Sequence, residues 1–214
     1  MLAVLAAAVI HGLPLPQYCA QPPTTADAIA CADPELRALA KTSILLGWKR
    51  AAATGQLEET GGDRNWPASL DKCATAPCVR EAFLDHIETL VEEGPDPPGG
   101  RRYQGFQTKV YGQEMTLIDL GEGWTFFRLD GWYHPVPSDW NTYHSGGDHG
   151  VVRFVDGEAS TGDATQGLKF KQLNARTWHV TQIGNCPCGN LVRLDGLYRM
   201  EELRTPRRGK PKAR

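Results

Sequence analysis

The run Gly94-Pro95-Asp96-Pro97-Pro98-Gly99-Gly100 divides this 214-residue chain into two parts of different character. Proline removes a backbone donor and fixes φ, and glycine is costly to order, so no regular element runs through such a stretch. Before it, apolar residues recur at steps of three and four. After it, they fall in short β-branched and aromatic runs separated by Gly, Asp, Asn and Pro. The expected class is therefore α+β: an N-terminal helical hairpin or three-helix module, then an antiparallel β-meander or small barrel-like domain. The divisions read as 1–16, 17–93, 94–102 (linker), 103–202 and 203–214.

In the first part, Asp33-Pro34-Glu35 opens a helix, with Asp as cap, Pro in the first turn and Glu at the positive dipole end. Leu36, Leu39, Ser43 and Leu46 then lie on one stripe, and Gly55 closes it. A second helix is expected around Trp66 to Cys73. A third, from Pro77 to Val91, puts Val79, Phe83, Ile87 and Leu90 on one face, with His86 at its edge. In the second part, strands are expected at 108–111, 115–120, 124–129, 151–155, 168–173, 177–182 and 191–194. Asp130-Gly131, Asp156-Gly157 and Asp195-Gly196 are hairpin signals, since a type I′ turn needs positive φ at both centres. The segment Arg128 to Tyr133 echoes Arg193 to Tyr198, a match that hairpin chemistry by itself can generate.

Cysteine use bears on the compartment. Cys19, Cys31, Cys73 and Cys78 belong to the helical part, and Cys186 and Cys188 to the strand part. The spacings do not match tight zinc pairs, so disulfides are the expected state of the first four, in any of three connectivities. An apolar run from Met1 to Ile10 has the length of a signal-peptide core, although no Lys or Arg precedes Arg37. No later stretch is apolar enough to span a membrane. Asn185-Cys186-Pro187-Cys188-Gly189 leaves three readings open: a structural bridge, a redox pair, or a metal site completed by His179 or by His144 with His149.

The four-cysteine pattern carries a resemblance. Tyr18-Cys19-Ala20, Ala28 to Leu36 with Leu39, Trp66, Asp71-Lys72-Cys73, and Cys78 with the helix through Phe83 and Leu90 resemble the N-terminal domain of LprI-type lysozyme inhibitors, over about residues 17–90. The chain departs from that pattern at Ala40, Asp71, Phe83 and His86. The resemblance implies an exported, disulfide-bridged helical module, linked in some members to inhibition of host lysozyme. The β part resembles no family.

Charge excludes one class of function. The balance of −2 rules out a strongly basic nucleic-acid binder over the whole length. A basic tail from Arg204 on holds six cations and no acid, and is expected to stay disordered. No phosphate loop, dinucleotide fingerprint or nucleophile elbow is present, so no cofactor, metal or catalytic residue is assigned. Seven aromatic residues crowd between Trp124 and Tyr143. Trp124 and Phe126 are expected in the core. Trp132, Tyr133, Trp140 and Tyr143 are the candidate partner-binding residues. The function expected from sequence is a periplasmic or secreted bacterial binding protein, a lysozyme-inhibitor-like factor acting on lysozyme or on another envelope protein or glycan. The alternatives are a non-inhibitory envelope protein using its aromatic β surface, and a thiol-redox protein using Cys186 and Cys188.

Overall fold

The computed structural model describes residues 19–22, 24–54, 66–93, 100–121, 123–184 and 192–201, of which 48–54, 66–68 and 92–93 are described by their backbone. The expected signal peptide, the Pro/Gly run up to Gly99, Cys186, Cys188 and the basic tail lie outside the described residues.

Four named helices come first among the described residues: α1 (Thr25–Ala32), α2 (Pro34–Thr54), α3 (Trp66–Asp71) and α4 (Ala76–Glu93). The start of α1 has a capping box in Thr24 and Asp27: the Thr24 hydroxyl accepts from the Asp27 amide, and the Asp27 carboxylate accepts from the Thr24 amide. This helix is absent from the sequence expectation, although Thr24-x-x-Asp27 signals it. Asp33 caps α2 as expected, its carboxylate accepting from the amides of Glu35 at 2.8 Å and Leu36 at 3.1 Å. The α4 stripe of Val79, Phe83, Ile87 and Leu90 is buried against α2. His86, expected at its edge, is buried too.

Two disulfides close on neighbours in order. Cys19 bonds to Cys31 at the end of α1, and Cys73, after α3, bonds to Cys78 in the first turn of α4.

Eight antiparallel strands follow: β1 (Gly100–Gln107), β2 (Tyr111–Gly121), β3 (Trp124–Tyr133), β4 (His144–Arg153), β5 (Glu158–Ser160), β6 (Gly167–Asn174), β7 (Thr177–Ile183) and β8 (Gly196–Met200). Their order is β4-β3-β2-β1-β8-β7-β6-β5. The sheet curls until its far strands face one another. Phe127 of β3 and Phe170 of β6 have ring centroids 5.0 Å apart, so the sheet is a nearly closed barrel. Alternation sends Met115, Leu117, Phe127, Leu129, Leu168, Phe170, Trp178, Val180 and Tyr198 into its interior.

The opposite face of β2–β4 carries Ile118, Leu120, Phe126 and Val151. These join Leu39, Phe83, Ile87 and Leu90 in a second core, so the helices pack on the outside of the barrel. Burial of each large apolar side chain there contributes about 1.5–3 kcal/mol.

Several strand boundaries differ from expectation for local reasons. Thr108 to Val110 form the β1–β2 turn, with the Thr108 hydroxyl accepting from the amides of Val110 and Tyr111. β1 begins at Gly100, inside the span read as linker, and β4 begins at His144, well before Val151. Residues 192–195 precede β8 rather than forming a strand. Asp156-Gly157 makes the expected tight turn, with φ of 52° and 78° and a Val155–Glu158 bridge. Asp130-Gly131 lies within β3 instead. There glycine serves close approach: a Cβ at Gly131 would lie 2.7 Å from Val192 Cγ1. The two echoing segments thus come side by side, each with its own Arg–Asp pair, Arg128–Asp130 and Arg193–Asp195.

Candidate functional site: a cleft on the outer face of the sheet

Strand register determines what stands on the outer face beyond the helices. Ile118, Phe126 and Val151 form an apolar row across β2, β3 and β4, covered by the helices. Two residues further along, Arg102, Thr116, Arg128 and His149 form the next row, across β1 to β4. Gln104, Glu114, Asp130 and Gly147 follow it. Gly112, Trp132 and Ser145 make the last. The face thus passes from apolar to cationic, to anionic, to aromatic, because residues i and i+2 share a face.

A groove of about 530 Å³ opens there, walled by Glu88 of α4 and floored by Arg128, Asp130, Trp132, Gly147 and His149. Glu88 Oε1 lies 3.3 Å from His149 Nδ1 and 3.9 Å from Arg128 Nε. Arg128 also pairs with Asp130 at 3.1 Å. These groups are partly exposed, so each pair adds little stability. Their consequence is an arrangement that keeps donors and acceptors side by side at the mouth of the groove.

The four aromatic candidates separate into two groups. Trp132 and Tyr143 border the groove together. Trp132 lies flat across Gly112, where a Cβ would come within 2.3 Å of its Nε1. Trp140 sits beside Tyr143, ring centroids 5.9 Å apart, and both contact the His134 ring. Trp140 is 77% exposed. Its loop is held rigidly even so. Asp139 caps the short 3₁₀ turn Trp140–Thr142 by accepting from the Asn141 amide. The Thr142 hydroxyl and His134 Nε2 both donate to the Asp139 carbonyl.

Tyr133 belongs elsewhere. It faces the inner side at the barrel end, stacked on His144 and 6.5 Å from Tyr111. There the buried Gln113 donates to the carbonyls of Arg193 at 2.8 Å and Asp195 at 3.0 Å, while the Tyr111 hydroxyl donates to Arg193. Burial raises the Tyr111 hydroxyl above its ordinary pKa. Register also puts Asp148 on this inner side, opposite Leu129, and burial raises its carboxyl.

None of Glu88, Glu114, Arg128, Asp130 and His149 was expected from sequence as a binding residue: His149 was named only as a ligand of a metal site with Cys186 and Cys188, and Arg128 and Asp130 only within the hairpin-like echo. The alternation Arg128-x-Asp130-x-Trp132 on one strand was the available signal. Among the described residues no three His, Cys, Asp or Glu side chains stand where they could hold a metal, and no helix is long and apolar enough to cross a membrane. No family model matches the chain, and no curated protein or solved structure does.

Proposed function

We propose that the protein is an exported bacterial envelope binding protein and that the outer-face cleft holds a glycan. The observation that carries this is the row order: a Trp132–Tyr143 wall beside adjoining acceptors (Glu114, Asp130) and donors (Arg128, His149). Aromatic faces take the apolar side of a sugar ring, and hydroxyls both donate and accept, so they fit between such rows. The two disulfides support export, because such bonds persist in oxidising compartments. Glu88 lies 3.3 Å from His149 Nδ1 and Asp130 pairs with Arg128, so donors and acceptors are held in place along the cleft. The test is retention on immobilised peptidoglycan. The oxidised protein should be retained, and Trp132→Ala should weaken retention ~10-fold, about 1.4 kcal/mol. Passage of the parent protein through the column unretained would overturn the reading.

A second reading, a lysozyme-inhibitor-like factor, rests on the LprI resemblance together with Trp140, an exposed aromatic on a rigid loop of the kind that anchors protein interfaces. A turbidity assay with excess oxidised protein tests it. Slowed lysis that Trp140→Ala restores supports it, and unchanged lysis removes it.

A further inference from the structure

The cleft continues beyond Arg128 and Asp130, on the side away from Trp132 and Tyr143. A second cavity of about 600 Å³ lies on the same face, between Val91 of α4 and Arg102, Gln104 and Thr116 of the sheet, with Glu201 at its far side. It shares Glu114, Arg128 and Asp130 with the first. The two polar rows, Arg102-Thr116-Arg128-His149 and Gln104-Glu114-Asp130-Gly147, pass through both, from β1 to β4. The Glu201 end is fixed to β1: its amide donates to the Arg102 carbonyl, and its carboxylate accepts from Gln104.

We propose that these cavities are one binding cleft for a linear, uncharged oligosaccharide of at least three pyranose units, lying across the strands from Trp132 to Arg102 and Glu201. The inference rests on the glycan reading and adds the ligand's length and orientation. Four strands span three intervals of about 4.8 Å, or about 14 Å, and a pyranose repeat is close to one interval. A single sugar would fill only one of the two cavities. Arg102 and Arg128 line one side of the path across the strands and Glu114 and Asp130 the other, which favours a neutral chain of hydroxyls over a ligand of one charge. An extended peptide fits less well. Lying across the strands it gains no ladder hydrogen bonds, and the charged floor offers no apolar pockets for its side chains.

The experiment is titration calorimetry of the oxidised full chain with β-1,4-linked N-acetylglucosamine oligomers of increasing length. Affinity should rise at least ~10-fold from the disaccharide to the tetramer and then level off. Arg102→Ala and Glu201→Gln, each a change at an exposed position, should weaken the tetramer ~10-fold and leave the disaccharide unchanged. Trp132→Ala should weaken both. Equal affinity for disaccharide and tetramer, or no effect of either far-end variant, overturns the extended cleft while leaving a glycan site at Trp132. No binding of any oligomer overturns both.

Discussion

The molecule has two hydrophobic cores built in different ways. The barrel interior is self-contained, because among the described residues its side chains come from the strands, from Phe154 between β4 and β5, and from the segment just before β8. The core under the helices is not. It is closed by Ile118, Leu120, Phe126 and Val151, which the sheet presents on its outer face. The helical layer therefore depends on the barrel, whereas the barrel can enclose its own interior. The disulfides follow the same division: both described bridges lie in the dependent part. A small helical layer with a borrowed floor gains most from restricting its unfolded chain.

The strongest test of this asymmetry uses two buried residues on opposite faces of one sheet. Phe126→Ala should cost about 3–5 kcal/mol and Leu129→Ala about 2–5 kcal/mol. Hydrogen exchange should separate them. Phe126→Ala should free the amides of α2 and α4 while β6 and β7 stay protected. Leu129→Ala should expose both regions. Identical exchange patterns in the two variants would break the comparison.

A smaller effect is expected from replacing Cys73 and Cys78 together by Ser. Their separation of five residues gives about 2 kcal/mol in the loop-entropy description. Thermal denaturation should show the loss, with faster exchange in α3 and α4. Equal loosening of β6 and β7 would mean that the helices brace the barrel after all.

The smallest effect lies at the polar end of the barrel interior. Burial raises the folded-state pKa of Asp148, so its protonated form is favoured by folding. Its ionisation therefore costs stability as pH rises through that raised value, and costs nothing below the unfolded value. Asp148→Asn should raise the melting temperature slightly at pH 7, with the difference vanishing near pH 3. A difference that does not change with pH would mean that the carboxyl is solvated as in the unfolded chain.

What was legible in the sequence followed the strength of the local patterns. β6 and β7 were anticipated within a residue or two because Leu168, Phe170, Trp178 and Val180 alternate cleanly with Lys, Gln, His and Thr. α2 and α4 followed from caps and a 3.6-residue stripe. β1 was hidden because its outer residues, Arg102 and Gln104, are polar for the cleft, leaving Tyr103 as its one buried side chain. β4 was half hidden because Ser145-Gly146-Gly147-Asp148 lacks strand propensity and is held by its pairing with β3. Asp130-Gly131 misled because glycine has two uses, and here the neighbour at Val192 decides. The cleft itself was illegible for a related reason. Its rows run across strands, and a cross-strand row exists only once register is set.

The bridges have one more consequence, for biogenesis. Each of the first four cysteines pairs with the next in order, 19 with 31 and 73 with 78. A chain that enters an oxidising compartment N-terminus first presents these thiols in the sequence in which they belong together. An oxidant acting on each pair as it arrives yields the native connectivity for these four directly, with no reshuffling step and before the barrel strands have entered.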